Sequence, residues 1–400
     1  MGNLSGKHIL IIVENLPLPF DRRVWQEANA LKSQGAEVSV ICPVMKGYTK
    51  KYECIDGIHI YRHYLPLEGK GALGYLAEYS TALFFWFFLS LKIFARRRFQ
   101  VIQGCNPPDL IFLVALFYKL FGVKYVFDHH DINPELYLAK FNKKGIFYHF
   151  MVFFERLTYM TAKYSIATND SYREIAIRRG KMNPEKVKVV RSGPGLDRLK
   201  IREGNPRFKK GKKYLIGYVG VIGEQEGLDL LLESVKTIKG IRNDVQFAIV
   251  GGGTELEKIK NLAKTMDLSD SVDFYGRVSD ELLVDILNTA DVCVNPDRPT
   301  VMNNLSTMNK IMEYMALKKP IVQFDLKEGR YSAQEASLYA INTSPEDFAM
   351  KIIWLLDHPE ERVKMGECGY NRVIQELSWD HESRKLIALY SQIFNRYNQH

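Results

Sequence analysis

Cysteine is scarce in this chain, and the five present, Cys42, Cys54, Cys105, Cys293 and Cys368, are scattered and never form a CxxC pair. That excludes a disulfide framework and the usual zinc-ligand spacing, and it points to a reducing compartment. No uninterrupted apolar run approaches the ~20 residues of a bilayer-spanning helix. The start lacks the charged segment, apolar run and cleavage site of a signal peptide, so none is expected. Met1-Gly2-Asn3-Leu4-Ser5-Gly6 fails as a myristoylation signal because Gly6 stands where Ser or Thr is required. No GxGxxG follows a strand in the first half, which argues against a nicotinamide dehydrogenase. The absence of GxxxxGK[ST] and of GxSxG argues against a P-loop hydrolase and an esterase-type nucleophile elbow. Acid is short in one half only: residues 1–200 hold 29 Lys/Arg against 17 Asp/Glu, whereas residues 201–400 hold 26 against 29. A basic half suits an anionic lipid, nucleic-acid or phosphorylated partner, or simply solubility.

What is present is ordinary for a soluble globular chain: 400 residues, 46% apolar and 25% charged. That length suggests two domains. Residues 8–13 (HILIIV) form a continuous apolar run of strand length, as in a strand buried on both faces of a parallel sheet. A Pro-rich loop and a helix from Asp21 to about Ser33 follow, then the strand 37–42, which makes a βαβ unit. The loop after the first strand lies at the carboxyl edge, where open α/β sheets place ligands. Arg22 and Arg23 stand there as candidate contacts to an anionic acceptor, or as solvated surface charges.

Residues 73–98 are densely aromatic, with Phe84-Phe85-Trp86-Phe87-Phe88 followed by Lys92 and Arg96-Arg97-Arg98; residues 146–154 repeat the theme after Lys143 and Lys144. Each reads either as a helix buried against the sheet or as one lying in a bilayer interface with its basic end on anionic headgroups. The strands 100–104 and 124–127 end in polar loops, Asn106-Pro107-Pro108-Asp109 and Asp128-His129-His130-Asp131. Four adjacent residues on a short loop cannot all face one ion, so no metal site is expected there. A histidine at that edge reads instead as a polar contact on the cleft floor.

Between 196 and 213 the composition turns basic and polar, and at Tyr214 the strand–loop–helix pattern restarts with Gly220-Val221-Ile222-Gly223. The richest stretch lies further on, Asn303-Asn304-Leu305-Ser306-Thr307-Met308-Asn309-Lys310-Ile311-Met312-Glu313-Tyr314-Met315-Ala316, before Pro320 and a strand 321–324. It reads as a loop, a helix capped by Ser306 or Thr307, and a buried strand. A helix start seats a phosphate, while Lys310 and Glu313 share one face and suit a diphosphate and a diol such as ribose. An ordinary solvated ion pair is the alternative.

In order and spacing, Gly220, Val250-Gly251-Gly252-Gly253, Val272-Asp273-Phe274-Tyr275-Gly276-Arg277-Val278, Ala290-Asp291-Val292 and the stretch 310–322 resemble the family-4 retaining glycosyltransferases. The STMNKIMEYMA segment looks like a bacterial subgroup acting in surface-polysaccharide assembly. The resemblance covers nearly the whole chain. It implies an α/β fold of GT-B type, two Rossmann-like domains facing each other across a cleft, with the C-terminal helix crossing back to the first. The expected divisions are an acceptor domain at 1–197, a linker at 198–212, a nucleotide-sugar donor domain at 213–378 and the closing helix at 379–400.

By that resemblance Glu313 holds the ribose, the backbone near Gly276 and Arg277 the base, and the helix start at Ser306 and Thr307 the diphosphate, with Gly220 lining the site. His130, with Asp131, matches the family's first-domain histidine that contacts the donor sugar. The sequence departs from the family at Leu305, where a carboxylate is usual, and at Val221 and Glu226, where Arg and Lys usually meet the diphosphate. Lys310 is the candidate replacement, Arg330 the second, and Asn303, Asn304 and Asn309 candidates for sugar hydroxyls. The implied activity is metal-independent, configuration-retaining sugar transfer from a nucleotide-diphosphate sugar, for instance UDP-linked, to a lipid-linked or glycan acceptor. The nucleotide sugar is a substrate and no cofactor is expected; the protein is expected in the cytoplasm, peripheral on the inner face of the cell membrane, without a nucleic-acid partner. An epimerase or phosphorylase of the same fold, or a silent partner in a polysaccharide complex, are the alternatives.

Overall fold

The computed structural model describes residues 3–65, 71–141 and 143–395. They form two compact units, Met1–Ser192 with Glu382–His400, and Gly193–His381. The first unit carries strands β1 His8–Val13, β2 Glu37–Pro43, β3 Tyr52–Ile55, β4 Ile58–His63, β5 Val101–Cys105, β6 Lys124–His129, β7 Tyr164–Ala167 and β8 Val187–Val189. Their order in the sheet is β3-β4-β2-β1-β5-β6-β7-β8. Every pairing is parallel except β3 with β4, an antiparallel edge that the sequence pattern did not announce. All six residues of β1 are buried, as a strand covered on both faces requires. Between the strands run α1 Arg22–Ser33, α2 Gly71–Arg96, α3 Phe112–Lys119, α4 Asn133–Phe141, α5 Ile146–Thr161 and α6 Asp170–Arg178. Asp21 caps α1 as expected, its carboxylate accepting from Val24 N at 3.0 Å.

The aromatic helix α2 is buried on one face and exposed on the other. Trp86 is fully buried and its indole N–H donates to Glu14 Oε2 at 3.0 Å, while Phe84 and Phe88 stand more than half exposed. Residues 78–96 are long and apolar enough to cross a membrane by length and composition, contrary to the expectation that the apolar stretch is too short. The face locked to the sheet through Trp86 is nonetheless occupied by protein.

The second unit has β9 Tyr214–Val219, β10 Val245–Val250, β11 Val272–Gly276, β12 Val292–Asn295, β13 Ile321–Phe324 and β14 Ser337–Ala340, all parallel, in the order β11-β10-β9-β12-β13-β14. Its helices are α7 Leu228–Ile241, α8 Leu256–Thr265, α9 Asp280–Thr289, α10 Val301–Leu305, α11 Asn309–Ala316, α12 Lys327–Ala333, α13 Pro345–Asp357 and α14 Pro359–Arg372. Residues 198–212, expected as a linker, are packed into this unit, because Leu199 and Phe208 sink into the core formed with Leu215, Leu287 and Ile311. The Ala290-Asp291-Val292 motif also has a structural task. Asp291 accepts from Leu215 N at 2.8 Å and pairs with Lys209 at 2.9 Å, fastening that segment to the start of β9.

The closing helix, α15 Trp379–Asn395, belongs to the first unit from Glu382 onward. Glu382 accepts from Arg191 N at 2.8 Å, and the Tyr390 hydroxyl donates to Gln103 on β5 at 2.5 Å. A return of the C-terminal helix to the first domain is thus observed. In each sheet the strand order reverses at one place, between β1 and β5 in the first and between β9 and β12 in the second. The loops leaving those strands at their carboxyl ends form the crevice where α/β sheets bind ligands.

Candidate functional site

In the second unit, three glycine-bearing loops meet at the carboxyl edge of β9, β10 and β11. Gly251 has a φ of +143°, and a Cβ there would lie 1.8 Å from the Gly220 carbonyl oxygen; one at Gly253 would lie 2.3 Å from that of Ile222. The loops are joined by Gly220 N to Val250 O, Ile222 N to Gly252 O and Gly251 N to Gly276 O, at 3.1, 3.2 and 2.8 Å. Glycine is therefore demanded by close approach, and the resulting floor is bare backbone. Gly276, at φ +66°, turns the third loop, and the exposed Arg277 lies over Gly252.

Beside this floor Lys310, on the first turn of α11, pairs with the buried Asp297 at 2.8 Å and stands 4.8 Å from the centroid of the Tyr218 ring. Burial opposes the ammonium charge, but Asp297 and Tyr218 outweigh it and raise its pKa, so Lys310 stays charged. Burial also raises the pKa of Asp297, which Lys310 only partly offsets. Glu226, at the position where a lysine is usual, accepts from Gly223 N at 3.1 Å and is likewise pushed up, first by burial and then by Asp297. This part of the site is thus one ammonium between two carboxyls. Lys310 therefore pairs with Asp297, and Glu313 with Arg198, instead of with each other.

Glu313, one turn further along α11, is bound by the Arg198 guanidinium, which also lies 3.6 Å from Asp280. Ser306 and Thr307 do not cap a helix. Thr300 caps the short α10 by accepting from Asn303 N at 3.1 Å, Ser306 closes that helix, and α11 begins after Met308 without a side-chain cap. The stretch is therefore two short helices with a break, because Thr300 supplies an earlier start. Asn303 is buried, donating to Gln225 O and Arg298 O at 2.9 Å each, and Asn304 accepts from Lys327 N at 2.8 Å. Both tie loops together, Asn303 with its amide nitrogen and Asn304 through its carbonyl oxygen. Asn309 is exposed beside Lys310. Arg330 is held by a two-point contact to Asp325, 2.7 Å on each arm, and stacks 3.9 Å from the Tyr339 centroid, so its charge is already matched.

In the first unit His130 and Asp131 follow β6 and are suspended from Asn106, whose Oδ1 accepts from both backbone N–H groups at 2.7 and 3.2 Å. His130 Nε2 lies 2.8 Å from Asp128 Oδ2 and 3.0 Å from Arg23 Nε. Asp131 is close by, its pKa raised by burial against the pull of His130. Arg23 is not an acceptor contact. It is buried, reaching Asp128 at 3.0 Å, Glu27 at 2.9 Å, and Val190 O and Ser192 Oγ at 3.0 and 3.1 Å, so its donors are engaged inside the unit. Arg22 is exposed on the same first turn. Cys105, Asp128 and His130 lie within 4.8 Å of one another, a spacing that suits a metal. The Arg23 guanidinium already places a positive charge against two of the three, which opposes a second cation.

Asp128, Asp297 and Arg198 were missed by sequence reasoning. Asp297 and Arg198 acquire their partners 13 and 115 residues away, Asp128 is fixed by Arg23 on α1, and Arg198 was hidden among the basic residues taken for a linker.

Comparison with known proteins bears on the family and the fold. Residues 21–193 match the family described as glycosyl transferase 4-like domain, and residues 200–372 match glycosyl transferases group 1. The chain is 22% identical over 354 residues to the alpha-D-kanosaminyltransferase of Streptomyces kanamyceticus, covering 82% of this chain and 86% of that protein. Two other curated relatives, an uncharacterized glycosyltransferase of Haemophilus influenzae and a GDP-mannose-dependent mannosyltransferase of Corynebacterium glutamicum, match over shorter stretches, the chain spanning about half the length of each. The fold is similar to that of sucrose-phosphate synthase from Thermosynechococcus elongatus, with a TM-score of 0.77 at 18% identity over 98% of this chain and 100% of that one. It is also similar to Anabaena HepE solved with UDP and glucose, with a TM-score of 0.70 at 13% identity over 96% and 100%. With both halves matched in order, the chain belongs to the family-4 (group 1) glycosyltransferases and is a glycosyltransferase of GT-B fold.

Proposed function

We propose that the protein moves a sugar from a nucleotide-diphosphate sugar, with UDP the first nucleotide to try, to a hydroxyl of a lipid-linked or polysaccharide acceptor, retaining the anomeric configuration. The observation that carries this reading is the crevice at the β9/β12 reversal, where a bare glycine floor, the start of α11, Lys310 and Glu313 adjoin. Glu313 takes the ribose diol, the Gly276–Arg277 backbone the base, and Lys310 with the α11 start the diphosphate. His130 and Asp131 serve the sugar. In the transfer the bond from the anomeric carbon to the diphosphate oxygen breaks and a bond to the acceptor oxygen forms on the same face. The acceptor proton passes to the departing diphosphate, and the protein supplies position and charge without a cofactor or metal. UDP is favoured because HepE, of similar fold, was solved with it.

The acceptor reading rests on the surface of the first unit. Phe84 and Phe88 on α2, Leu120 and Phe121 beside α3, and Phe147 and Phe150 on α5 are all exposed. Lys119, Lys143, Lys144 and Arg96 to Arg98 are exposed at the ends of those helices. Apolar rings beside cations suit an anionic bilayer surface, which would hold the enzyme where a lipid-linked acceptor resides. Five unpaired thiols suit the reducing, cytoplasmic side.

The test is a thermal-stability titration with UDP-, GDP-, ADP- and CMP-sugars and the free diphosphates, followed by NMR of the product's anomeric proton. A rise in midpoint with one nucleotide class and a product of donor configuration are expected. No rise with any nucleotide would overturn the donor site, and an inverted product the retaining course.

A further inference from the structure

We infer that Asp128 is the positioning residue for His130: it ties the ring through Nε2 and leaves Nδ1 as the edge that meets the donor sugar. The inference rests on the reading that His130 contacts the donor. Asp128 is fully buried at the end of β6, and each of its oxygens is held. Oδ1 accepts from Arg23 Nη2 at 3.0 Å, and Oδ2 accepts from Gln103 Nε2 at 2.8 Å besides facing the His130 ring at 2.8 Å. Gln103 is held in turn by the Tyr390 hydroxyl at 2.5 Å and donates to Glu27 at 2.6 Å. The carboxylate therefore cannot swing away from the ring, and the C-terminal helix takes part in fixing it.

His130 Nε2 has two neighbours with opposite demands, since Asp128 needs a proton on it and Arg23 Nε–H needs a lone pair. Asp128 is the nearer, and a bare Nε2 would set its lone pair against a buried carboxylate oxygen. Among the described residues nothing hydrogen-bonds Nδ1. The ring is also the outlet of the cluster: its side chain is 14% exposed, against 9% for Arg23 and none for Asp128 and Glu27.

The charges facing the ring are Asp128 from β6, Arg23 and Glu27 from α1, and Asp131 from its own loop. The Cys105 thiol on β5 is pushed up by burial and stays protonated. Burial favours the neutral ring, yet Asp128 raises the His130 pKa above its ordinary 6.5, while Arg23 pulls it down. Burial pushes the Glu27 pKa up, whereas burial of Asp128 is outweighed by Arg23 and His130, which hold its carboxyl well below the usual carboxylate range, so Asp128 is the anion at the ring.

The experiment is 15N NMR of histidine-labelled full-length protein across pH, with the His130 signals assigned by loss in His130→Gln. Above its midpoint the wild-type ring should carry its proton on Nε2; an Nδ1–H tautomer overturns the proposal. Asp128→Asn should lower the midpoint by at least one pH unit, and Arg23→Gln should raise it. Simple loosening of the pocket would instead move both towards 6.5 from above, and two downward shifts, or no shift in Asp128→Asn, overturn the assignment. In donor turnover Asp128→Asn should reduce kcat about tenfold or more while KM for the donor changes less, because orientation in the transition state is lost and not the pocket. Full activity of His130→Gln would overturn the donor role of His130 itself, with the titrations still judging the pairing.

Discussion

At the scale of single residues, Lys310 keeps its charge but shares it with Asp297, and Glu226 stands beside the pair with a raised pKa. A diphosphate bound as proposed would meet Lys310 as attraction and any ionised Glu226 as repulsion. Glu226→Gln should therefore bind UDP several-fold more tightly than wild type at pH 7.5 by calorimetry. Wild-type affinity should rise as pH falls towards the Glu226 pKa, whereas in Glu226→Gln that rise should be absent; equal pH profiles would remove Glu226 from the site. His8 gives a stability counterpart. Its ring is buried between Ser39 Oγ at 2.9 Å and Arg97 O at 3.2 Å, and burial lowers its pKa from 6.5 to about 4. A group with a depressed pKa contributes stability that is present above 6.5 and lost as pH falls towards 4, about 3 kcal/mol in all. Denaturant midpoints of wild type should fall over that window more steeply than those of His8→Gln. Lys310 and Glu313 were legible in the sequence because one helix turn sets them side by side. Asp297 and Arg198 were not, because no local rule links positions 13 and 115 residues away.

At the scale of elements, α2 has two faces with different work. Trp86→Ala removes a fully buried ring and leaves Glu14 without its indole donor, so it should cost about 3–5 kcal/mol in equilibrium unfolding. Phe84→Ser with Phe88→Ser alters exposed positions and should change stability by only about 0.5 kcal/mol each. The double variant should nevertheless lose binding to vesicles containing anionic lipid, read by co-sedimentation, while keeping turnover on a water-soluble acceptor. Unchanged binding would assign that face to another partner. Apolar content alone left α2 undecided because alternating rings around a helix suit both lipid and core. The fold places β2 and β4 against α2 and leaves Phe84 and Phe88 exposed. The reading of Ser306 and Thr307 as caps failed for a related reason. Both are good cap residues, but Thr300 already starts a helix that ends at Ser306, and the chain restarts two residues later.

At the scale of the molecule, the two units have separate cores, and the excess of positive charge lies in the first half of the chain. Binding to anionic vesicles should therefore weaken strongly between about 0.1 and 0.5 M salt, as screening shortens the reach of the basic residues. Binding that ignored salt would make the contact purely apolar. The sequence by itself determined the two α/β repeats, the carboxyl-edge loops and the family, because strand runs, helix periods and glycine turns are local patterns that the backbone must obey. The tertiary structure alone decided which charges are matched. It buried Arg23 against Asp128, set Asp297 on Lys310 and brought Tyr390 of the last helix to Gln103 of the fifth strand. Pairings of that kind depend on which strands become neighbours, and parallel strand order joins residues far apart in the chain, beyond the reach of any local spacing rule.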